Sequence, residues 1–404
     1  MQLALCGISA LAALRAARQG LTGKNGVPKE RELLLPPDPG PERKRFTPKL
    51  LADVSVGSWH VPQGRMLEVA VPDQRERLQA KDVNCKVFSQ PAMQRAFVSL
   101  GEGVQASSPE LLFIEMAQVM PLMNLVLLGC ELCGSFSRDP ADPHDGDVAY
   151  WVDPVTSVEK IRTFAKLCTH VRGITRAAKA LSYVMDNAWS PTEALVAVMA
   201  ALPLEYGGYG IDPVVLNKRV PVSEKATRAS RVPDMLFANG TVGLNYDGED
   251  HFDLGKVVSA AQRLREYAGE DSSQRQLSAA LEDVHEKYVD DRRRDRELAA
   301  AGRLVFSVTK EDLIEKGGLD NLMTLVLDAL DRGASEKFKM TRAAMRVREL
   351  ARMRQDLLWS AMPGALGVQA RRRLARRAAR RRSELEVLRA SLQDEDAWEH
   401  IELV

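Results

Sequence analysis

The sequence predicts an α/β chain, α+β overall, with a mixed sheet flanked by helices, and three observations carry that expectation. Near residue 214 the apolar pattern changes from helical spacing to short, glycine-bounded runs. A well-capped helix precedes the change. A long helix, one further strand and a closing helix follow it, so the order helix, three strands, helix, strand gives a sheet with both parallel and antiparallel pairs.

Taken in order, Met1-Gln-Leu-Ala-Leu-Cys-Gly-Ile-Ser-Ala superficially resembles a secretion signal. No basic residue precedes its apolar run, and Arg15 and Arg18 follow at once, so a first amphipathic helix is expected. Residues 23–48, rich in glycine, proline and charge, read as a connector. Leu67-Glu-Val-Ala-Val and Cys85-Lys-Val-Phe read as strands of a small sheet. Ser108-Pro-Glu opens a helix expected to run past Met116, with Pro121 kinking or ending it.

Residues 156–186 carry two helices broken near Gly173, and Ser190-Pro-Thr-Glu opens a third, closed by Pro203. Val214-Val-Leu, Asp234-Met-Leu-Phe-Ala and Thr241-Val-Gly-Leu-Asn-Tyr-Asp are three strands. A helix over 273–301 presents residues 277, 281, 284 and 288 as one apolar stripe and ends at Gly302. Arg303 to Thr309 is the fourth strand, and Lys310 to Leu330 the closing helix.

The 404 residues suit two or three units of roughly 150 each. They divide into a mixed region over 1–150, a core with its preceding helices over 151–335, and a helical basic tail over 336–404. With 45% hydrophobic and 27% charged residues, wholesale disorder and collagen-like structure are excluded. No segment reaches the ~18 uncharged apolar residues of a membrane span. Five irregularly spaced cysteines suit a reducing compartment, so a cytoplasmic location is expected. The net charge of +1 conceals eight arginines between Arg371 and Arg382 and an acidic end from Asp394 to Glu402. That run either binds phosphates or forms a solvated helix paired with the acidic end.

Metal-assisted phosphodiester cleavage needs two or three carboxylates converging on Mg²⁺ or Mn²⁺. Asp234 opens one strand, Asn245 and Asp247 lie two apart on one face of the next, and Glu193 sits on the preceding helix. Asp291-x-x-Arg294 puts an acid and a base on one side of the long helix. Each has a plainer reading: Asp234 as a turn residue, Asn245-Tyr-Asp-Gly as a strand and turn, Glu193 as a helix cap, His251 as a surface histidine. Cys130-x-x-Cys133 lacks the second ligand pair that zinc requires and reads as two buried thiols.

The ordered set Ser190-Pro-Thr-Glu193, Arg231-Val-Pro-Asp234, Asn245-Tyr-Asp-Gly-x-x-His251 and Asp291-x-x-Arg294 resembles the PD-(D/E)XK nuclease superfamily. Within it, the branch of very-short-patch-repair-like endonuclease domains is the most similar, over about 120 residues. The resemblance implies a restriction-endonuclease-like core in which Glu193 supports the site, Asp234 and Asp247 hold the metal, and His251 or Arg294 assists attack on DNA. Asn245 stands where the family pattern has glutamate. The front half is similar, more weakly, to abortive-infection-antitoxin-like regions, which implies a DNA- or protein-binding portion in a bacterial phage-defence or mobile-element setting. Two functions follow as expectations: a metal-dependent DNA endonuclease, or a catalytically inactive DNA-binding regulator on the same fold.

Overall fold

Leu3-Ala-Leu, expected to begin a helix, is instead strand β1 (Leu3–Leu5), and the helix starts only after it, as α1 (Gly7–Arg18). Gly7 makes the turn between them. Its φ is +53°, and a Cβ there would fall 1.9 Å from a Glu68 carboxylate oxygen. Nor is α1 amphipathic, because every residue except Ile8 is buried. Alanine-rich helices lie close to their neighbours on all sides, and the polar face that periodicity would reveal is lost.

The structure, a computed structural model, describes residues 3–20, 27, 55–56, 59–60, 66–78, 80, 82–89, 93, 96–101, 103–222, 226–237, 240–247, 254–266, 271–331 and 337–395. The connector expected at 23–48 therefore lies almost wholly outside the described residues. A short antiparallel pair, β2 (Ser55–Val56) and β3 (Trp59–His60), precedes the strands of the front sheet. These are β4 (Leu67–Val71), β5 (Val83–Val87), β6 (Phe97–Gly101) and β7 (Val104–Ser107). The order is β5-β4-β1-β7-β6, with β1 central, antiparallel to β4 and parallel to β7.

Ser108 caps α2 (Pro109–Met116), its hydroxyl accepting the Leu111 N–H. This helix stops at Met116 instead of running on, and Pro121 serves as the N-cap of α3 (Leu122–Leu132). Proline has no N–H to leave unpaired there, which suits a helix start better than a helix interior. A hairpin, β8 (Phe136–Arg138) and β9 (Val148–Tyr150), leads to α4 (Val158–Leu167) and α5 (Ile174–Leu181), separated at Gly173 as expected.

The second sheet follows α6 (Pro191–Ala201). It uses β10 (Val214–Leu216), then, after the side pair β11 (Val220–Pro221) and β12 (Ser230–Arg231), β13 (Met235–Phe237) and β14 (Val242–Asp247). Helices α7 (Leu254–Glu266) and α8 (Asp271–Ala300) lead to β15 (Leu304–Thr309). Strands β10, β13 and β14 form an antiparallel meander, and β15 adds parallel to β14. The helix, meander, crossover and parallel strand occur in the order read from the sequence.

One face of this sheet, with Met235, Phe237, Val242, Leu244 and Val308, joins an apolar core that also holds Leu5, Leu14, Trp359 and Ala370. The other packs Leu236 against Leu298 of α8 and Val220. The expected stripe on α8 is corrected here. Leu281 and Tyr288 are about half exposed, and burial is reached only at Leu298. The N-terminal part of α8 packs on α7, a helix not expected between the third strand and the long helix.

The closing helix divides into α9 (Lys310–Ile314) and α10 (Gly318–Leu330), with Gly317 at φ +80° between them. The tail folds as α11 (Lys339–Arg346), α12 (Arg348–Ala361) and α13 (Gly364–Glu395). All five cysteines are free and buried, so Cys130 and Cys133 are a thiol pair as expected. Among the described residues no helix is long and apolar enough to cross a membrane.

Candidate functional site

Register sets the site. Leu216 pairs with Met235, and the Asn217 N–H donates to the Asp234 carbonyl one step further on (2.9 Å). Met235 pairs with Leu244, so Asp234 stands opposite Asn245, which in turn pairs with Ser307. Directly opposed residues share a face of a sheet. Asn217, Asp234, Asn245 and Ser307 therefore form one polar row across all four strands, and Asp247 lies two residues beyond it on the same face. The close approach of β13 and β14 needs Gly243, where a Cβ would sit 2.4 Å from the Met235 carbonyl oxygen.

Glu193 joins the row from α6. Its backbone N–H donates to the capping Ser190 hydroxyl (3.1 Å), so the helix-start reading is correct. Its carboxyl is also part of the row: Oε1 accepts from the Asn217 amide at 2.7 Å and Oε2 from the Trp189 N–H at 3.3 Å. Burial, and then the neighbouring Asp234 charge, push this carboxyl up to about 9. Glu193 is thus protonated near neutral pH.

Sequence reasoning missed Asn217. It occupies the left-handed region at φ +48°, and its amide also donates to the Asn187 carbonyl (2.8 Å). An asparagine directly after a strand was the available signal, because asparagine tolerates this conformation better than most side chains. Asn187, likewise at φ +68°, accepts from the Trp189 indole N–H at 3.0 Å. Trp189 also lies against Trp151, 80% exposed, with ring centroids 5.7 Å apart.

Asp234 and Asn245 are tied to one another. The Asp234 N–H donates to Asn245 Oδ1 (3.1 Å), and Asp234 Oδ2 accepts the Tyr246 N–H (2.6 Å). Asn245 is 1% exposed. Asp247 instead faces α8, with Arg294 Nη2 at 3.9 Å from it and 3.3 Å from Asp291. Burial and the Asp247 charge raise the Asp295 carboxyl, although Arg294 acts against this. The helix is braced by Arg231, which donates to Glu297 (2.6 Å) and Asp290 (3.0 Å).

The expected residues therefore fall into two groups. Glu193, Asp234 and Asn245 are together, with Asn217. Asp247 belongs with Arg294, Asp291 and Asp295. His251 lies outside the described residues. Among the described residues no cluster of three or more histidine, cysteine or carboxylate side chains could hold a metal ion. Asn245 Oδ1 and Asp234 Oδ2 are already engaged by backbone donors. The donor set described here does not match a three-carboxylate metal site.

A second feature lies between α12 and α13. A groove of about 970 Å³ is lined by eight basic and three acidic side chains. Of the acids, Asp320 is held by Arg354 (2.9 Å) and Asp356 by Arg377. Arg373 and Arg377 lie over the Trp359 ring, with 5.9 and 4.6 Å to its centroid. The arginines expected to bind phosphate or to pair with an acidic end thus divide. Arg371, Arg373 and Arg377 hold the helix in place, while Arg376, Arg380 and Arg381 face the groove with Arg348 and Arg352. No family model, curated protein or solved structure matches the chain.

Proposed function

We propose that this chain binds duplex DNA through the α12–α13 groove and carries, in its second sheet, a nuclease-like core in which hydrolysis is silent. The observation that carries the binding is the surplus of arginine in the groove. A row of guanidinium groups along a cleft suits a phosphate backbone, and each neutralised phosphate releases counterions. The core reading rests on the PD-(D/E)XK resemblance, and the strand order and the row through Glu193, Asp234 and Asn245 support it. Silence is favoured by the Asp234–Asn245 lock, by a neutral amide where the family pattern has a carboxylate, and by the pairing of Asp247 with Arg294. Abortive-infection-type regulation in a bacterial cytoplasm is the setting this reading fits.

A second reading, hydrolysis with Mg²⁺ or Mn²⁺, is favoured by one observation. Glu193 and Asp234 are close enough for one to oppose ionisation of the other, and a bound cation would relieve that. The deciding experiment measures duplex binding by fluorescence anisotropy over rising salt and, in parallel, plasmid nicking with either metal. The proposal expects salt-sensitive binding without nicking, and nicking at most after Asn245→Glu. Nicking by the parent that Asp234→Ala abolishes would establish hydrolysis instead. Replacing Arg376, Arg380 and Arg381 by alanine should flatten the log–log salt dependence by about one unit per lost phosphate contact.

A further inference from the structure

The front half holds a pocket that the DNA-binding reading does not use. It has a volume of about 300 Å³ and lies between α1, α2, α3 and the segment following β8. Its wall is apolar over Leu11, Ala12, Met116, Met120, Leu127 and Leu128. Ile8 and Val119, each more than half exposed, stand at its rim. At one end are Arg15, Glu131, Arg138 and His144.

The charges at that end do not balance. Glu131 accepts two hydrogen bonds from the Arg15 guanidinium (2.8 and 2.7 Å) and one from the Arg138 backbone N–H (3.1 Å). Arg18 donates to the carbonyls of Glu131 and Gly134 at 2.8 Å. The Arg138 guanidinium approaches Glu131 only to 3.8 Å, and its Nε and Nη2 are buried without a hydrogen-bond acceptor among the described residues. His144 adds no positive charge, since burial and then Arg138 and Arg371 favour its neutral form. Two buried arginines, Arg15 and Arg18, and the partly buried Arg138 thus lie near one carboxylate. The excess of positive charge at this end of an apolar pocket suits an anionic group on an otherwise apolar ligand.

We propose that this pocket binds a small organic monocarboxylate, its carboxylate at the cationic end formed by Arg15 and Arg138 and its hydrocarbon part along the α1 and α3 wall. At ~30 Å³ per non-hydrogen atom, the share of a water in the liquid, the volume suits roughly ten such atoms. That is the size of a medium-chain fatty acid or an aryl-substituted acid. Apolar walls supply affinity and the cationic end fixes orientation.

The test uses the full chain and needs no variant to be interpretable. Thermal unfolding and titration calorimetry are run with hexanoate, octanoate and phenylacetate, with octanamide and hexanol as uncharged counterparts, and with sulfate. The carboxylates should bind saturably and raise the melting temperature, octanoate above hexanoate; the uncharged compounds and sulfate should do neither. Arg138→Met, which removes the charge and keeps an unbranched apolar side chain, should weaken octanoate at least about tenfold. Leu127→Trp, which fills the wall, should weaken it while leaving duplex binding unchanged. Equal effects of octanoate and octanamide, no effect of any carboxylate, or undiminished binding by a folded Arg138→Met would each overturn the proposal.

Discussion

Glu131 in the front half and Glu193 in the second sheet are both buried carboxyls, 1% and 4% exposed, and their ionisation is opposite. Burial raises the pKa of either group. At Glu131 it is overcome by Arg15 and Arg138, and the carboxyl falls to about 2. At Glu193 the neighbours are amide donors and the negative Asp234, and the carboxyl rises to about 9. The charge of the partner, and not the depth of burial, decides the outcome. One half of the molecule uses a buried ion pair as structure; the other keeps a buried acid in its neutral form.

The sharpest way to break this comparison is to remove the charge from the front half. Glu131→Gln leaves Arg15, Arg18 and Arg138 without this counter-charge and should cost about 3–5 kcal/mol in urea unfolding. A loss below about 1 kcal/mol would show that water or an anion already compensates them. In the parent, the Glu131 contribution is present above the unfolded value near 4.5 and is lost as pH falls toward 2.

The same substitution in the second sheet should have the opposite sign. The folded value of Glu193 lies above the unfolded one, so the parent loses stability as pH rises from about 4.5 toward 9. Glu193→Gln does not titrate. Its urea midpoint should match the parent near pH 4.5 and exceed it progressively up to pH 9, by a few kcal/mol at most. A difference independent of pH would mean that Glu193 is ionised in the fold.

Asn217→Ala should cost about 2–3 kcal/mol by the same measurement. It removes the donor to Glu193 and forces alanine into the left-handed region. The smallest effect belongs to the groove. Alanine at Arg380 and Arg381 should change stability by less than about 0.5 kcal/mol, since both are solvent-exposed, while weakening duplex binding measurably.

Much of the second sheet was legible because its signals are local. Ser-Pro at two helix starts, short glycine-bounded strands, and a glycine after a long helix each act within a few residues. The two-residue spacing of Asn245 and Asp247 put them on one face. What escaped was set by distance or by lost contrast. Arg15 and Glu131 meet across 116 residues, and no local pattern announces such a pairing. β1 is three residues inside a run whose apolar content also suits a helix, and only its place between β4 and β7 makes it a strand. α7 packs on α8, a partner that follows it in the chain and that no pattern within α7 itself announces. Asn217 and Asn187 are defined by positive φ, a property of the folded backbone.

The arginine-bearing helix is fastened to the loop after β8: the Gly364 N–H at its start donates to the His144 carbonyl at 2.7 Å, and Arg371, two turns on, pairs with Asp145. The latter partners are 226 positions apart. Contacts of such separation are entropically the costliest to close and form late. During synthesis α13 therefore leaves the ribosome after its docking loop has folded, and the groove takes shape only on a finished front half. A chain cut short before residue 364 would lack α13 and with it one wall of the arginine-lined groove.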